Sequence, residues 1–185
     1  MAIRPSFRAR SDGTIVVSLP SWIRTLLLEL FGELERLFAA DAASAPVDPL
    51  EEITGLRPER TSLPENPVLA RLRPEGYSAD VEGGQAAADF RRFTEADLAA
   101  LQRQRVATVR EALRDRDRFE LTSASAQDWL GALNDLRLAL GTALALPEGE
   151  YVPPDDSQAE AYQMYQLLTD LQVRLLGALG APDEF

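Results

Sequence analysis

At 185 residues and 45% hydrophobic content, the chain is long enough to bury a core without disulfide or metal staples. It has no Cys and no His, and Arg is its sole basic residue, which excludes thiolate nucleophiles, Cys- or His-ligated metals, imidazole bases and Schiff-base lysines. A formal net charge of −11 disfavours nucleic-acid phosphates and anionic lipid surfaces unless Arg residues gather on one face.

The first segment, residues 1–20, reads as a β-hairpin: two short strands flank Ser11-Asp12-Gly13, and Gly supplies the positive φ that a tight turn requires. Its Arg-bearing start lacks the apolar stretch of a signal peptide, and the most apolar segment, residues 22–38, is too charged to span a bilayer. A cytoplasmic protein with no membrane partner is therefore expected. Residues 21–38 predict an amphipathic helix behind a Ser21 N-cap, with Ile23, Leu26, Leu27, Leu30, Phe31, Leu34, Leu37 and Phe38 on its apolar face.

Residues 39–65 are acidic and Pro-rich and read as a long surface loop with at most one helical turn near 50–56. A helical core is expected over 66–180, completing one domain across 1–185. Asn66-Pro67 predicts a helix start with Pro at its first position, running to Leu72. Gly83-Gly84 punctuates a gap before a short helix over 85–92, and Thr94-Glu95-Ala96-Asp97 resembles a capping box opening a separate helix to about Arg116. Its predicted stripe is Leu98, Leu101, Val109, Ala112 and Leu113, with Arg105 in the middle. Phe119-Glu120-Leu121 reads as a connection.

The next helix begins among the N-cap candidates Thr122 to Ser125 and ends near 144–146. Trp129, Leu133, Leu136, Leu140 and Leu144 line one face while Leu130 and Leu138 point elsewhere, the pattern of a helix in the middle of a bundle. Asp155-Asp156-Ser157 caps a last helix to about Leu179, with Met164, Leu168, Leu171, Leu175 and Leu179 as its core stripe. The expected fold is mainly α: a bundle of about four to six helices with a short N-terminal β-hairpin.

The runs Asn66-Pro67-Val68-Leu69-Ala70-Arg71-Leu72-Arg73-Pro74, Asp89-Phe90-Arg91-Arg92-Phe93-Thr94 and Leu133-Asn134-Asp135-Leu136-Arg137-Leu138 resemble the actinobacterial domain-of-unknown-function family numbered two thousand and seventeen. The resemblance covers nearly the whole chain apart from residues 39–65. It implies no established activity, and a gene often placed beside that of the Clp-protease adaptor.

Asn134, Asp135 and Arg137 are the sharpest polar feature, set on the predicted central helix. Successive helical residues diverge by about 100°, so each must face a different neighbour. They are expected, together with Arg105, to form a polar cluster that is either structural or a binding notch, with Asp135 pairing with Arg105 or another Arg. Glu29 with Glu33, or Asp155, Asp156 and Glu160, are carboxylate sets of the kind that hold Mg²⁺, but more simply form a solvated face and helix-start acids. Arg103, Arg105, Arg110, Arg114, Arg116 and Arg118 are interleaved with Glu111, Asp115 and Asp117, which favours a salt-bridged helix over a nucleic-acid surface. No catalytic residue, metal or cofactor is assigned.

Three functions stay open at this level. The favoured one is a non-enzymatic protein-interaction or regulatory module with a protein partner, and a homo-oligomer is compatible with it. The others are a carboxylate-dependent Mg²⁺ phosphohydrolase and a DNA-binding transcriptional regulator.

Overall fold

The computed structural model describes residues 4–43, 64–74, 83–114, 116–147, 149 and 151–180, with side chains from 94 onward in the segment beginning at 83. The fold is mainly helical, as expected, with five helices and a three-stranded antiparallel sheet among the described residues. The strands are β1 (Ser6–Ala9), β2 (Ile15–Ser18) and β3 (Arg118–Leu121). The helices are α1 (Ser21–Ala43), α2 (Pro67–Leu72), α3 (Gly83–Leu113), α4 (Ser123–Ala143) and α5 (Asp156–Ala178).

The hairpin forms where Asp12-Gly13 places it. Asp12 Oδ1 accepts from the Thr14 amide at 2.9 Å, and Gly13 takes a φ of 81°, where a side chain would be strained. Phe119-Glu120-Leu121 is not a connection: it belongs to β3, which pairs with β2 through Val17 opposite Phe119 and Ile15 opposite Leu121. Phe119 and Leu121 face the core while Arg118 and Glu120 face solvent, an alternation too brief to stand out in the sequence. Arg24 of α1 holds this junction. Its Nε pairs with Asp117 at 2.8 Å, and its Nη1 donates to the carbonyls of Leu113 and Arg114, which close the end of α3.

Two helix boundaries also differ from expectation. The helices predicted over 85–92 and from 94 onward are one continuous α3, so Thr94 lies inside a helix and does not open one. Neither Gly nor Pro interrupts the chain from 85 to 113, and the nearer cap signal has no break to act on. Helix α1 runs beyond Phe38 through Ala39, Ala40, Asp41, Ala42 and Ala43, strong helix formers apart from Asp41. The first part of the expected loop over 39–65 is thus helical, and residues 44–63, including the turn expected near 50–56, lie outside the described residues.

Three caps fall where the sequence puts them: Asn66 for α2, Thr122 for α4 and Asp155 for α5. Asn66 Oδ1 accepts from the amides of Val68 at 2.9 Å and Leu69 at 3.3 Å, and those amides have no helical partner otherwise. Replacing Asn66 with Ala is expected to lower stability by about 1 kcal/mol in urea titration, with an unchanged slope. An unmoved midpoint would show that Leu69 and Leu72, both buried, hold α2 without its cap.

Helix α4 packs against α2, α3 and α5, the position expected of a helix apolar on most sides. Trp129, Ala132 and Leu133 are fully buried there, joined by Phe31 and Phe38 of α1, Val106 and Val109 of α3 and Leu168, Leu171 and Leu175 of α5. The sheet completes this cluster through Ile15, Val17 and Leu121. The stripe of α3 matches the expected one at Val109 and Leu113 and departs from it toward the start of the helix. Ala99, Val106, Val109 and Leu113 are buried, whereas Leu101 is exposed. Arg105 therefore sits at the flank of the stripe instead of its middle.

Candidate functional site

The four polar residues singled out in the sequence divide between two faces of α4. On the face toward α3, Asp128, Gly131 and Asp135 follow each other at intervals of three and four residues, and the Arg105 guanidinium lies over Gly131. A Cβ at Gly131 would stand 2.6 Å from Arg105 Cζ, so the absent side chain is what lets the guanidinium approach. Arg105 Nε is 3.9 Å from Asp128 Oδ1. On the other face, Arg137 donates weakly to Asn134 at 3.5 Å and lies 6.0 Å from the Tyr165 ring centroid, in a row with Tyr162 and Tyr151.

Asp135 forms no ion pair among the described residues, contrary to the pairing expected with Arg105 or another Arg. Its Oδ2 is buried without a hydrogen-bond partner. Burial pushes its pKa up to about 6, against the opposing pull of Arg105 and then Arg73, so desolvation outweighs two guanidinium groups held at a distance. This fixes the sign of a pH effect. The folded form holds its proton to higher pH than the unfolded chain, so stability from this group is full below about pH 4 and falls until about pH 6. Asp135→Asn, which resembles the protonated form, is expected to remove that fall and stabilise the protein by about 2–3 kcal/mol at pH 8. Denaturant titrations of both proteins at pH 4 and pH 8 check this, and an equal pH dependence for parent and variant would overturn it.

The charged centre that the sequence reading missed is Arg73, which follows α2. It is 3% exposed, and its Nη1 pairs with Asp41 of α1 at 2.7 Å and lies 3.7 Å from Glu95 of α3. Its Nε donates to Gln102 at 3.1 Å, the Gln102 amide donates to the Leu72 carbonyl at 3.2 Å, and the guanidinium lies 5.8 Å from the Phe38 ring centroid. Two helices, α1 and α3, and the end of α2 are thus tied by one side chain. Glu95 and Gln102 lie seven residues apart on the buried stripe of α3, on either side of Ala99. Reading that stripe in its true phase would have revealed two polar residues in a core position.

The remaining constellations stay dispersed. Glu29 and Glu33 are exposed on α1, Asp155 serves as the cap of α5, and Asp156 and Glu160 are exposed. Among the described residues no three acidic side chains come together as a metal site. The Arg run is neutralised in part: Arg105 lies near Asp128, Arg110 pairs with Glu35 and Arg114 with Glu111, while Arg103, Arg116 and Arg118 have no ion pair among the described residues. An apolar cleft of about 220 Å³ opens beside Leu34, Leu37, Leu136 and Leu140, and its charged lining residue, Glu33, is bonded to Arg36. It offers a ligand no converging polar groups. Among the described residues no helix is long and apolar enough to cross a membrane.

A family model described as a domain of unknown function, DUF2017, matches residues 4–179. A protein of Mycobacterium leprae (strain TN) carrying the AosR name is 37% identical over 84% of this chain and 78% of its own length. The oxidative stress regulator AosR of Mycobacterium tuberculosis (strain H37Rv) is 35% identical over 82% of this chain and 75% of its own, and the AosR of Mycobacterium bovis aligns with the same figures. No solved structure matches the chain.

Proposed function

From the premise that this chain belongs to the DUF2017 family, we propose that it is a non-enzymatic regulatory protein of the cytoplasm that acts in the response to oxidative stress by contact with another protein. The observation that carries the reading is the likeness to regulators named for oxidative stress, over more than three quarters of this chain. The chemistry of the chain agrees. Its most constrained polar groups, around Arg73, are buried and join helices.

Having no Cys, the chain carries no thiol that an oxidant could convert to a sulfenic acid or disulfide. Its regulatory role therefore lies downstream of thiol sensing, in what it binds. Deletion of its gene in the host is expected to lower survival after hydrogen peroxide challenge, with recovery on complementation, and the tagged chain is expected to capture a protein partner from the same cells. Unchanged survival together with an unchanged transcript profile would overturn the stress role. Capture of chromosomal DNA, with binding that weakens steeply in salt, would replace protein contact with the DNA-binding alternative.

A further inference from the structure

We propose that the free edge of β3 is a docking site where an extended acidic segment of a partner protein adds as a fourth strand. This rests on the reading of the chain as a protein-contact regulator and names where that contact forms. The sheet order β1-β2-β3 leaves β3 at an edge. Leu19 donates to the Asp117 carbonyl at 2.8 Å, which sets residues 117, 119 and 121 as those whose backbone groups face β2. By the alternation of an antiparallel ladder, the amides and carbonyls of Arg118 and Glu120 point away from the sheet. An edge of this kind is a template for another strand.

Beyond the edge lies a cleft of about 610 Å³, lined by Glu111 and Ala112 of α3, Arg116, and Arg118, Phe119 and Glu120. Both of its acids are engaged, Glu111 with Arg114 at 2.9 Å and Glu120 with Arg10 at 2.7 Å. Arg116 and Arg118 are exposed and have no ion pair among the described residues. The cleft thus holds two uncompensated positive charges in a chain whose net charge is −11. Unpaired backbone groups call for a strand, and the surplus charge selects an acidic one.

A second copy of the chain fits less well. The last turn of α3 walls the cleft, so another copy would bring the same wall before its own edge. Two four-residue edges also bury far less than the roughly 1,200 Å² of a stable interface.

The test uses the full chain and three labelled octapeptides capped at both ends: alternating Glu-Val, alternating Lys-Val, and Glu-Val with every second amide N-methylated. The Glu-Val peptide is expected to bind, to perturb the amides of residues 116–121, and to lose at least about tenfold in affinity on N-methylation or on change to Lys-Val. Arg116→Glu with Arg118→Glu is expected to weaken it by a similar factor at an unchanged thermal midpoint, whereas Arg71→Glu, on the exposed side of α2, leaves it unaltered. Absence of Glu-Val binding, equal binding of all three peptides, or amide perturbations confined to another face would overturn the proposal. Dimerisation in light scattering that Arg118→Glu abolishes would assign the edge to a second copy instead. If the peptides fail while the peroxide phenotype persists, the regulatory reading stands and this edge is not its contact.

Discussion

Replacing Arg73 with Met is expected to destabilise the protein by about 3–5 kcal/mol, the usual consequence of removing one member of a buried ion pair and leaving the other uncompensated. Arg73 is nearly inaccessible, and its loss strips Asp41 and Glu95 of their shared guanidinium while Gln102 loses a donor. It also removes one of the two positive charges that restrain the rise in the Asp135 pKa. The variant should therefore recover stability as pH falls, because protonation relieves the buried Asp135 carboxylate, which has lost one of its two opposing charges. Arg73→Lys keeps the charge but cannot reach Asp41 and Gln102 together, and a smaller loss is expected. Unfolding free energies at pH 4.5 and 8 check both points. A loss below about 1 kcal/mol at pH 8 would show that water already screens this cluster.

Trp129→Ala should cost about 3–5 kcal/mol, lowering the thermal midpoint by roughly 10 °C for a chain of this size. Trp129 is the largest fully buried side chain, and its ring centroid is 5.2 Å from that of Phe119, so it joins α4 to the sheet. Its Nε1 is buried without a hydrogen-bond partner. Trp129→Phe consequently gives up volume but no hydrogen bond, and less than half of the Ala effect is expected. Calorimetry of both variants tests this; equal losses would mean that the indole nitrogen holds a polar contact.

The legible parts of the fold were those whose cause is local. Asn66, Thr122 and Asp155 announce helix starts because a short polar side chain beside free amides has one useful geometry. Asp12-Gly13 announces a turn for the same kind of reason. The third strand was illegible because four residues of alternation mean little until β2 is there to pair with them. The family itself was legible in its motifs, while the polar centre was not. Asn134, Asp135 and Arg137 stood out as a run, yet Arg73 draws its importance from Asp41, Glu95 and Gln102, residues brought to it by two other helices. Such a set exists only after packing, and the misplaced phase of α3 hid its two members there.

The register of Val17 against Phe119 joins positions about a hundred residues apart. The hairpin can form early from its own turn, but the last rung of the sheet must wait until the intervening helices have brought Arg118–Leu121 back to the amino-terminal end. Loop-closure entropy makes that rung a late event, so during biosynthesis the backbone groups of Ile15 and Val17 that face β3 stay without their strand until well over half of the chain has left the ribosome.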